Sequence, residues 1–248
     1  MLKDIAARIR QVKNTACSVV VVAAGKSVRM GEDKLFMDLC GEPVLARTLS
    51  ALNGCSCVEE IILVTREDIL EKAADLCKVR CFAKVKKVIV GGSTRSESVL
   101  AGLTEIDRDA SLVLIHDGAR PLVTEDLVYR VMHTAAIYKC AAPSVPVVDT
   151  VKEAEGDSVV KTLDRSRLAA IQTPQGFVPE IIKAALTKGL REKKEFTDDC
   201  AAVEAMGLTV RLTEGSPENI KITRPLDIQT AEAILRHREK SDADRTGV

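Results

Sequence analysis

The chain has 248 residues, and its 36 Lys and Arg balance 36 Asp and Glu, so its formal net charge is zero. A hydrophobic fraction of 46% is sufficient for a sizeable core and excludes disorder of the whole chain. Balanced charge and an aromatic content of 2% argue against a nucleic-acid-binding protein, which would need excess positive charge or stacking rings. The length predicts one larger α/β domain, or at most two small ones.

The eight cysteines form no CxxC pair, and several lie in apolar runs, where a free thiol behaves as a small hydrophobic side chain. The three histidines lack the spacing of a zinc site. The sequence shows no secretory signal pattern and no apolar run as long as a membrane span. We therefore expect reduced thiols, a cytoplasmic location and no membrane partner.

The first elements follow from the spacing of apolar residues. Leu2, Ile5 and Ile9 recur at helical spacing, which predicts an N-terminal helical extension over residues 1–15. Residues 17–24 are β-branched and apolar on both faces, as expected of a buried parallel strand. A polar loop follows over residues 25–34.

Strands and helices then alternate, which predicts a mostly parallel sheet with helices packed on it. We predict strands at 60–65, 85–90, 111–116 and 140–146, and helices at 43–52, 67–78, 94–106 and 124–138. In such sheets ligands bind beyond the carboxyl ends of the strands. Three polar clusters lie at those ends, at residues 25–34, 91–98 and 116–121.

Residues 147–165 interrupt the alternation. Two strand-like segments, 147–154 and 158–163, flank Glu155-Gly156-Asp157, which predicts a protruding β-hairpin arm. The arm either grips a partner subunit or is a surface hairpin.

After the arm the elements become shorter. We predict helices at 179–188 and 198–206, strands at 208–213 and 220–222, and a helix from Pro225 to about Arg238. The predicted organisation is a single domain over residues 16–238, followed by a polar tail at 239–248.

The first polar cluster is suited to a polyphosphate. Gly25 allows backbone N–H groups to converge on an anion, and Arg29 and Lys34 add positive charge. A P-loop would need glycine where Val20 stands, and a dinucleotide fingerprint would need glycine where Ser27 and Met30 stand. A surface loop is the alternative.

The second and third clusters each have a structural alternative. Gly91 and Gly92 leave room for a base or phosphate beside Ser98, but they also suit a helix cap. Asp117 at a strand end suits Mg²⁺, and Arg120 could bind an anion, although strand-end carboxylates are common without function. Four scattered residues, considered singly, are typical of a surface: Thr150, Arg165, Thr173 and Lys221.

Together these motifs resemble one family, the 2-C-methyl-D-erythritol 4-phosphate cytidylyltransferases. The resemblance covers about residues 17–236 in the family's order. The matching runs are Ala23-Ala-Gly-x-x-x-Arg-Met30, Lys34, Gly91-Gly-x-x-Arg-x-x-Ser-Val-Leu-Ala-Gly102, His116-Asp-x-Ala-Arg-Pro121, Val147-x-Asp-Thr-Val-Lys152, Asp164-Arg165, Thr173-Pro-Gln175, Thr197-Asp198 and Asn219-Ile-Lys-x-Thr-Arg-Pro225. The departures are Ser27 and Ser93, where glycine and an acidic residue are frequent, and Leu35-Phe36 after the lysine.

The resemblance implies a Rossmann-like nucleotidyltransferase fold, and a reaction of CTP with methylerythritol phosphate that releases pyrophosphate in the non-mevalonate isoprenoid pathway. It also implies a homodimer whose arms reach into the neighbouring site. A cytidylyltransferase for another polyol phosphate, such as ribitol 5-phosphate, is an alternative, as is a nucleotide-binding module without catalysis.

The same resemblance implies roles for individual residues. The implied nucleotide-binding residues are Ala23, Ala24, Gly25, Gly92 and Ser98; the catalytic residues are Arg29, Lys34, Arg165 and Lys221; the substrate-binding residues are Arg120, Thr150 and Thr173; and the magnesium ligand is Asp117. Thr150, Arg165 and Thr173 would come from the partner subunit.

Overall fold

A computed structural model describes residues 17–25 and 33–246, with the backbone alone over 242–246. The helix predicted over residues 1–15 lies outside the described residues.

The described chain alternates strands and helices, as the sequence predicts. The strands are β1 (Cys17–Ala23), β2 (Asp38–Leu39), β3 (Glu42–Pro43), β4 (Val58–Thr65), β5 (Val85–Val90), β6 (Val113–Asp117), β7 (Cys140–Pro146), β8 (Lys152–Glu155), β9 (Ser158–Thr162), β10 (Ala169–Ile171), β11 (Gln175–Phe177) and β12 (Arg211–Glu214). The helices are α1 (Val44–Gly54), α2 (Leu70–Val79), α3 (Arg95–Glu105), α4 (Glu125–Tyr138), α5 (Pro179–Arg191), α6 (Asp199–Glu204) and α7 (Pro225–Thr246), with 3₁₀ turns at Glu67–Ile69 and Arg165–Arg167.

One eight-stranded sheet forms the centre of the protein. Its strands follow the order β10-β7-β11-β6-β1-β4-β5, and β12 pairs with β7. β4, β5 and β6 run parallel to β1, and β12 runs parallel to β7. β10 and β11 pair antiparallel with their neighbours. The predicted mostly parallel sheet is therefore confirmed.

Helices cover both faces of this sheet because successive residues of its strands point to opposite sides. Val19 and Val21 of β1 belong to the same apolar cluster as Leu45 of α1 and Leu127 of α4. Val20, between them in sequence, packs in a second cluster on the opposite face. That second cluster contains residues of α3, α5 and α6. The run of valines in β1 is thus buried on both sides, which fixes this strand at the centre of the sheet.

The arm is present as a separate two-stranded hairpin. β8 and β9 pair antiparallel, with Lys152 opposite Thr162. Every residue of both strands is exposed, so the hairpin has no apolar core of its own. The first strand is shorter than predicted, because the segment before Lys152 is irregular, and the second ends one residue early, at Thr162.

The remaining differences from the sequence predictions concern short strands and the end of the chain. The predictions do not include β2, β3, β10 and β11, and the strand predicted at 208–213 lies instead at Arg211–Glu214. Residues 220–222 form no strand. The last helix continues to Thr246, through most of the predicted polar tail. Among the described residues, none of the helices is long and apolar enough to cross a bilayer.

Candidate active site

A cavity of about 460 Å³ lies at the carboxyl ends of the parallel strands. The segments that follow β1, β5 and β6 form its walls, and this is the edge where parallel sheets bind ligands. The three polar clusters therefore meet at one place, as predicted. The predicted site residues that line the cavity are Ala23, Ala24, Gly25, Lys34, Gly92, Ser98, Asp117 and Lys221.

Asp117, the last residue of β6, is the centre of a charged cluster. Lys221 Nζ lies 2.9 Å and Arg120 Nε 3.5 Å from its Oδ2, while Arg95 Nη2 lies 3.7 Å from its Oδ1. We call these four residues the Asp117 cluster. Burial alone would raise the pKa of Asp117, but the three cations outweigh burial and hold that pKa well below its usual range. The carboxylate is therefore ionised at neutral pH.

A directed chain of hydrogen bonds lies beneath Asp117. The Asp117 N–H donates to Thr173 Oγ1 at 3.0 Å, and that oxygen lies 3.1 Å from His116 Nδ1. His116 Nε2 lies 3.2 Å from the Arg120 carbonyl oxygen, which can only accept, so Nε2 carries the proton. Burial lowers the pKa of His116 to about 4, and the ring is therefore neutral and accepts from Thr173 through Nδ1. These bonds fix the main chain that carries Asp117.

The predicted origin of Thr173 is wrong. Thr173 is 5% exposed, and its hydroxyl is engaged by Asp117 and His116 of its own chain. It therefore belongs to the same chain's site and not to a partner's. Its role as a substrate-binding residue stays a prediction.

The strand predicted at 220–222 does not form, and hydrogen bonds from the residues beside Lys221 place it in the cluster instead. Ile222 N–H donates to the Ala119 carbonyl at 2.8 Å, which ties this segment to the loop after β6. The fully buried Asn219 donates through Nδ2 to the Thr173 carbonyl at 2.9 Å. Ile222 is buried while the Lys221 side chain is 40% exposed, so the two point to opposite sides, as their positions in the sequence indicate.

Arg66, which directly follows β4, connects two parts of the cavity wall. Its Nη1 donates to the Gly25 carbonyl at 3.1 Å, and its Nη2 forms an ion pair with Asp33. Arg66 thus binds the two described residues that flank residues 26–32. The sequence prediction missed this residue because it belongs to none of the polar clusters.

Two predicted catalytic cations follow β1. Lys34 lines the cavity. Arg29 lies within residues 26–32, outside the described residues. Its catalytic role stays a prediction.

The glycine pair at the start of α3 is required by close packing. A Cβ at Gly92 would lie 2.3 Å from Glu97 Cβ, and one at Gly91 would lie 2.5 Å from Ser98 Oγ. Thr94 and Glu97 form a capping box, so the helix-cap interpretation of this motif is correct. Ser98 Oγ donates to the Thr94 carbonyl at 2.9 Å, and Ser98 forms part of the cavity wall.

The two arm residues predicted for the site are not brought to the cavity within one chain. Thr150 and Arg165 are exposed, and neither lines the cavity. Arg165 Nη1 donates to the Val148 carbonyl at the base of the arm. Their roles stay predictions that require a second chain.

Arg95 and Asp199 are site residues that the sequence prediction missed. Arg95 lines the cavity, and its Nη1 lies 2.8 Å from Oδ1 of the buried Asp199. The signal for Arg95 is its place in the Gly91-Gly-x-x-Arg motif. No local spacing could pair it with Asp199, which lies far along the chain.

The donor set suits a hard divalent cation held jointly with a ligand. The described residues contain no group of three or more acidic, histidine or cysteine side chains that could enclose a metal ion. Mg²⁺ commonly uses one or two carboxylates and completes its coordination with phosphate oxygens and water. Asp117 Oδ1 fits this pattern, because Arg95 approaches it only to 3.7 Å, outside hydrogen-bond distance.

Comparison with known proteins identifies the family. The model of the 2-C-methyl-D-erythritol 4-phosphate cytidylyltransferase family matches residues 17–237. The cytidylyltransferase of that name from Halalkalibacterium halodurans is 42% identical over 225 residues, which cover 90% of this chain and 98% of the relative. The enzyme of the same name from Caldanaerobacter subterraneus is 42% identical over 230 residues, covering 88% and 98%.

The chain belongs to the 2-C-methyl-D-erythritol 4-phosphate cytidylyltransferase family.

Solved structures agree with this family assignment. The 4-diphosphocytidyl-2C-methyl-D-erythritol synthase of Anaerococcus prevotii superposes with a TM-score of 0.80 at 31% identity, covering 91% of this chain and 98% of that one. The 2-C-methyl-D-erythritol 4-phosphate cytidylyltransferase of Thermus thermophilus gives 0.76 at 32%, covering 90% and 100%. The family, the Rossmann-like α/β fold and the nucleotidyltransferase class predicted from the sequence are thereby confirmed.

Proposed function

We propose that the cavity beside the Asp117 cluster binds CTP and that the reaction takes place there. The chain is a cytidylyltransferase: it converts CTP and 2-C-methyl-D-erythritol 4-phosphate into 4-diphosphocytidyl-2-C-methyl-D-erythritol and pyrophosphate, a step of the non-mevalonate isoprenoid pathway. The observation that supports this site is the convergence of Lys34, Arg95 and Lys221 on one cavity at the carboxyl edge of the sheet.

The reaction needs charge and positioning more than it needs a base. The acceptor is a phosphate monoester whose second pKa is near ~6, so it is largely ionised at neutral pH. Its oxygen attacks the α-phosphorus of CTP, and the bond from that phosphorus to the β-phosphate oxygen breaks to release pyrophosphate. His116 is neutral, buried and bonded at both ring nitrogens, so it is not a general base.

The cations of the site supply the positive charge. An anionic nucleophile must approach an anionic triphosphate, so fixed positive groups lower the barrier. Lys34 and Arg29 are assigned to the triphosphate, and Lys221 and Arg120 to the acceptor phosphate. Lys221 and Arg120 both contact Asp117, which keeps them beside each other before substrate arrives.

The enzyme depends on a divalent cation, and we assign Mg²⁺ to this role. Asp117 would hold the ion together with the phosphate oxygens of CTP. When bound, Mg²⁺ would neutralise charge on the phosphates and orient the leaving pyrophosphate.

A homodimer would complete the site. Val148, Val159 and Val160 of the arm region are 79%, 62% and 58% exposed, and they give the arm apolar surface that a partner chain could cover. A partner chain would cover them and would receive Arg165 and Thr150 at its own acceptor site. All eight cysteines lie among the described residues and are free thiols, in keeping with a cytoplasmic enzyme.

Pyrophosphate release tests the function. The purified chain is mixed with CTP and Mg²⁺ and with methylerythritol phosphate, with ribitol 5-phosphate or with no acceptor. Release that depends on methylerythritol phosphate is expected. Release only with ribitol 5-phosphate would change the acceptor and retain the mechanism, whereas CTP binding without release would favour a binding module.

A further inference from the structure

A buried carboxylate stands behind the wall of the cavity. Asp199, the first residue of α6, is 1% exposed. Neither of its carboxylate oxygens accepts a hydrogen bond with good geometry from the described residues. Burial raises the pKa of Asp199, and the contact of Oδ1 with Arg95 Nη1 at 2.8 Å offsets part of that effect.

The backbone around Asp199 is held rigidly. Gln175 Oε1 accepts from the N–H groups of Asp199 and Cys200 at 3.2 Å each, and Gln175 Nε2 donates to Asp198 Oδ2 at 2.8 Å. Asp198 also caps α6 through its other oxygen. Asp199 thus presents a fixed anchor for its arginine partner.

Arg95 extends from this anchor to the cavity. Its side chain is 28% exposed and lines the wall, while that of Asp199 is inaccessible. One guanidinium nitrogen contacts Asp199, and the other lies 3.7 Å from Asp117, too far for a hydrogen bond. Burial opposes its charge, but Asp199 and Asp117 outweigh burial and raise the pKa of Arg95, so it stays cationic.

The geometry assigns Arg95 as a nucleotide-binding residue that contacts the sugar-phosphate part of CTP, and Asp199 as the positioning residue that holds it there. The assignment rests on the proposed function of the cavity. Without Asp199, the guanidinium is free to rotate and to close the remaining gap to Asp117. That movement would neutralise two charges and place the arginine across the cavity.

The test compares two carboxylates of the same helix. CTP binding to the full-length chain, without acceptor, is measured by titration calorimetry for the wild type, Asp199→Asn and Glu204→Gln. Glu204→Gln is the matched control because it also removes one carboxylate charge from α6, at an exposed position at the other end of the helix. We expect Asp199→Asn to weaken CTP binding about tenfold, with Glu204→Gln within about twofold of the wild type.

A double-mutant cycle shows whether Asp199 acts through Arg95. Arg95→Gln should also weaken CTP binding, and the double variant should bind no more weakly than Arg95→Gln alone. Thermal unfolding of each variant separates a loss of affinity from a loss of fold. A rise in the KM for CTP with an unchanged KM for the acceptor is the corresponding kinetic result.

Three results would overturn the assignment. Wild-type affinity in folded Asp199→Asn would remove Asp199 from positioning, and additive losses in the cycle would mean that it does not act through Arg95. If Asp199→Asn does not fold, wild-type affinity of Arg95→Gln decides against the assignment. Failure of the wild type itself to bind CTP would instead reject the proposed function, and this inference with it.

Discussion

The Asp117 cluster and the arm carry the two sets of predicted acceptor residues, and they are built in opposite ways. In the cluster, each side chain has partners within its own chain, and buried hydrogen bonds fix the backbone beneath it. In the arm, both strands are exposed on every residue. The cluster is thus organised by its own chain, whereas the described residues leave both strands of the arm open to solvent.

With the roles proposed above, this difference separates the charge chemistry of the reaction from the recognition of the acceptor. A preorganised set of charges stabilises a transition state because it need not be reoriented during the reaction. An arm with few contacts can adjust to a partner surface and to a substrate. The predictions below test the two regions against each other.

The largest effect is expected at the centre of the cluster. Asp117→Asn retains the size of the side chain but removes the charge that holds three cations, and should lower kcat about 10²- to 10³-fold. Steady-state pyrophosphate release measures this. Asp126→Asn, which changes an exposed carboxylate of α4 that forms an ion pair with Arg130, is the control and should retain wild-type turnover. Equal turnover of the two variants would contradict the role of the cluster.

Complementation between two inactive variants can test whether the arm acts in the site of a partner subunit. Arg165→Ala should mainly impair use of the acceptor phosphate, and Lys221→Ala should impair turnover. If the arm acts in the neighbouring site, a mixed dimer contains one site with an intact Lys221 and an intact Arg165. Random exchange of subunits should then restore about a quarter of wild-type turnover.

Restoration is measured after the two variants are denatured and refolded together, with separately refolded variants as the control. An arm that serves its own chain predicts no restoration. A defect of Arg165→Ala confined to CTP affinity would also contradict the assignment to the acceptor.

A smaller effect is expected on stability, through His116. Burial lowers its pKa to about 4 in the folded protein, against ~6.5 in an unfolded chain. Below pH ~6.5 the ring takes up a proton in the unfolded state but not in the folded state. The free energy of unfolding therefore decreases as the pH is lowered from ~6.5 to about 4, by about 3 kcal/mol in total. The pKa of Asp117 is also lowered, but its contribution is lost only at still more acidic pH.

Urea denaturation at a series of pH values measures this loss. His116→Gln removes the titrating ring and should reduce the change in free energy of unfolding between pH 6.5 and 4. His133→Gln, at a partly exposed position of α4, is the matched control. The same pH dependence in both variants would contradict the prediction.

The smallest effect is expected at Cys40, in the turn between β2 and β3. Its φ is +52°, and its carbonyl accepts from Arg47 Nη2 at 2.6 Å, so the backbone and not the thiol holds this turn. Cys40→Ser should change the free energy of unfolding by no more than about 0.5 kcal/mol and leave turnover unchanged. A folded but inactive Cys40→Ser protein would show that the thiol has a function.

The sequence predicts best where one physical signal dominates. β1, β4 and β6 each contain an unbroken apolar run. Gly25 and the Gly91-Gly92 pair come shortly after β1 and β5, and Asp117 ends β6, so the meeting place of these groups could be predicted. β10 and β11 were missed because three-residue strands carry no periodicity. Residues 220–222 resemble a strand in their alternation, yet a long-range hydrogen bond from the Ile222 N–H to the Ala119 carbonyl holds them instead of a ladder.

The side-chain pairs that refine the site are the least accessible to sequence reasoning. Arg95 and Asp199 meet only because α3 and α6 start near one another in the folded protein, and Thr173 reaches Asp117 through an unpredicted antiparallel strand. Family motifs identify such residues individually. Motifs do not reveal which of these side chains contact one another in the folded protein.

The pairing of β7 with β10 has a consequence for how this protein can vary. Pro146 lies directly opposite Ala169, so the chain leaves the sheet for the arm and rejoins it at nearly the same point. Residues facing each other across an antiparallel pair are about 5 Å apart, a gap that a short turn can close. The arm is therefore an excisable module: it can be shortened, exchanged or redesigned without altering the order of the sheet, and, if Thr150 and Arg165 have the roles proposed for them, such changes would alter acceptor recognition alone.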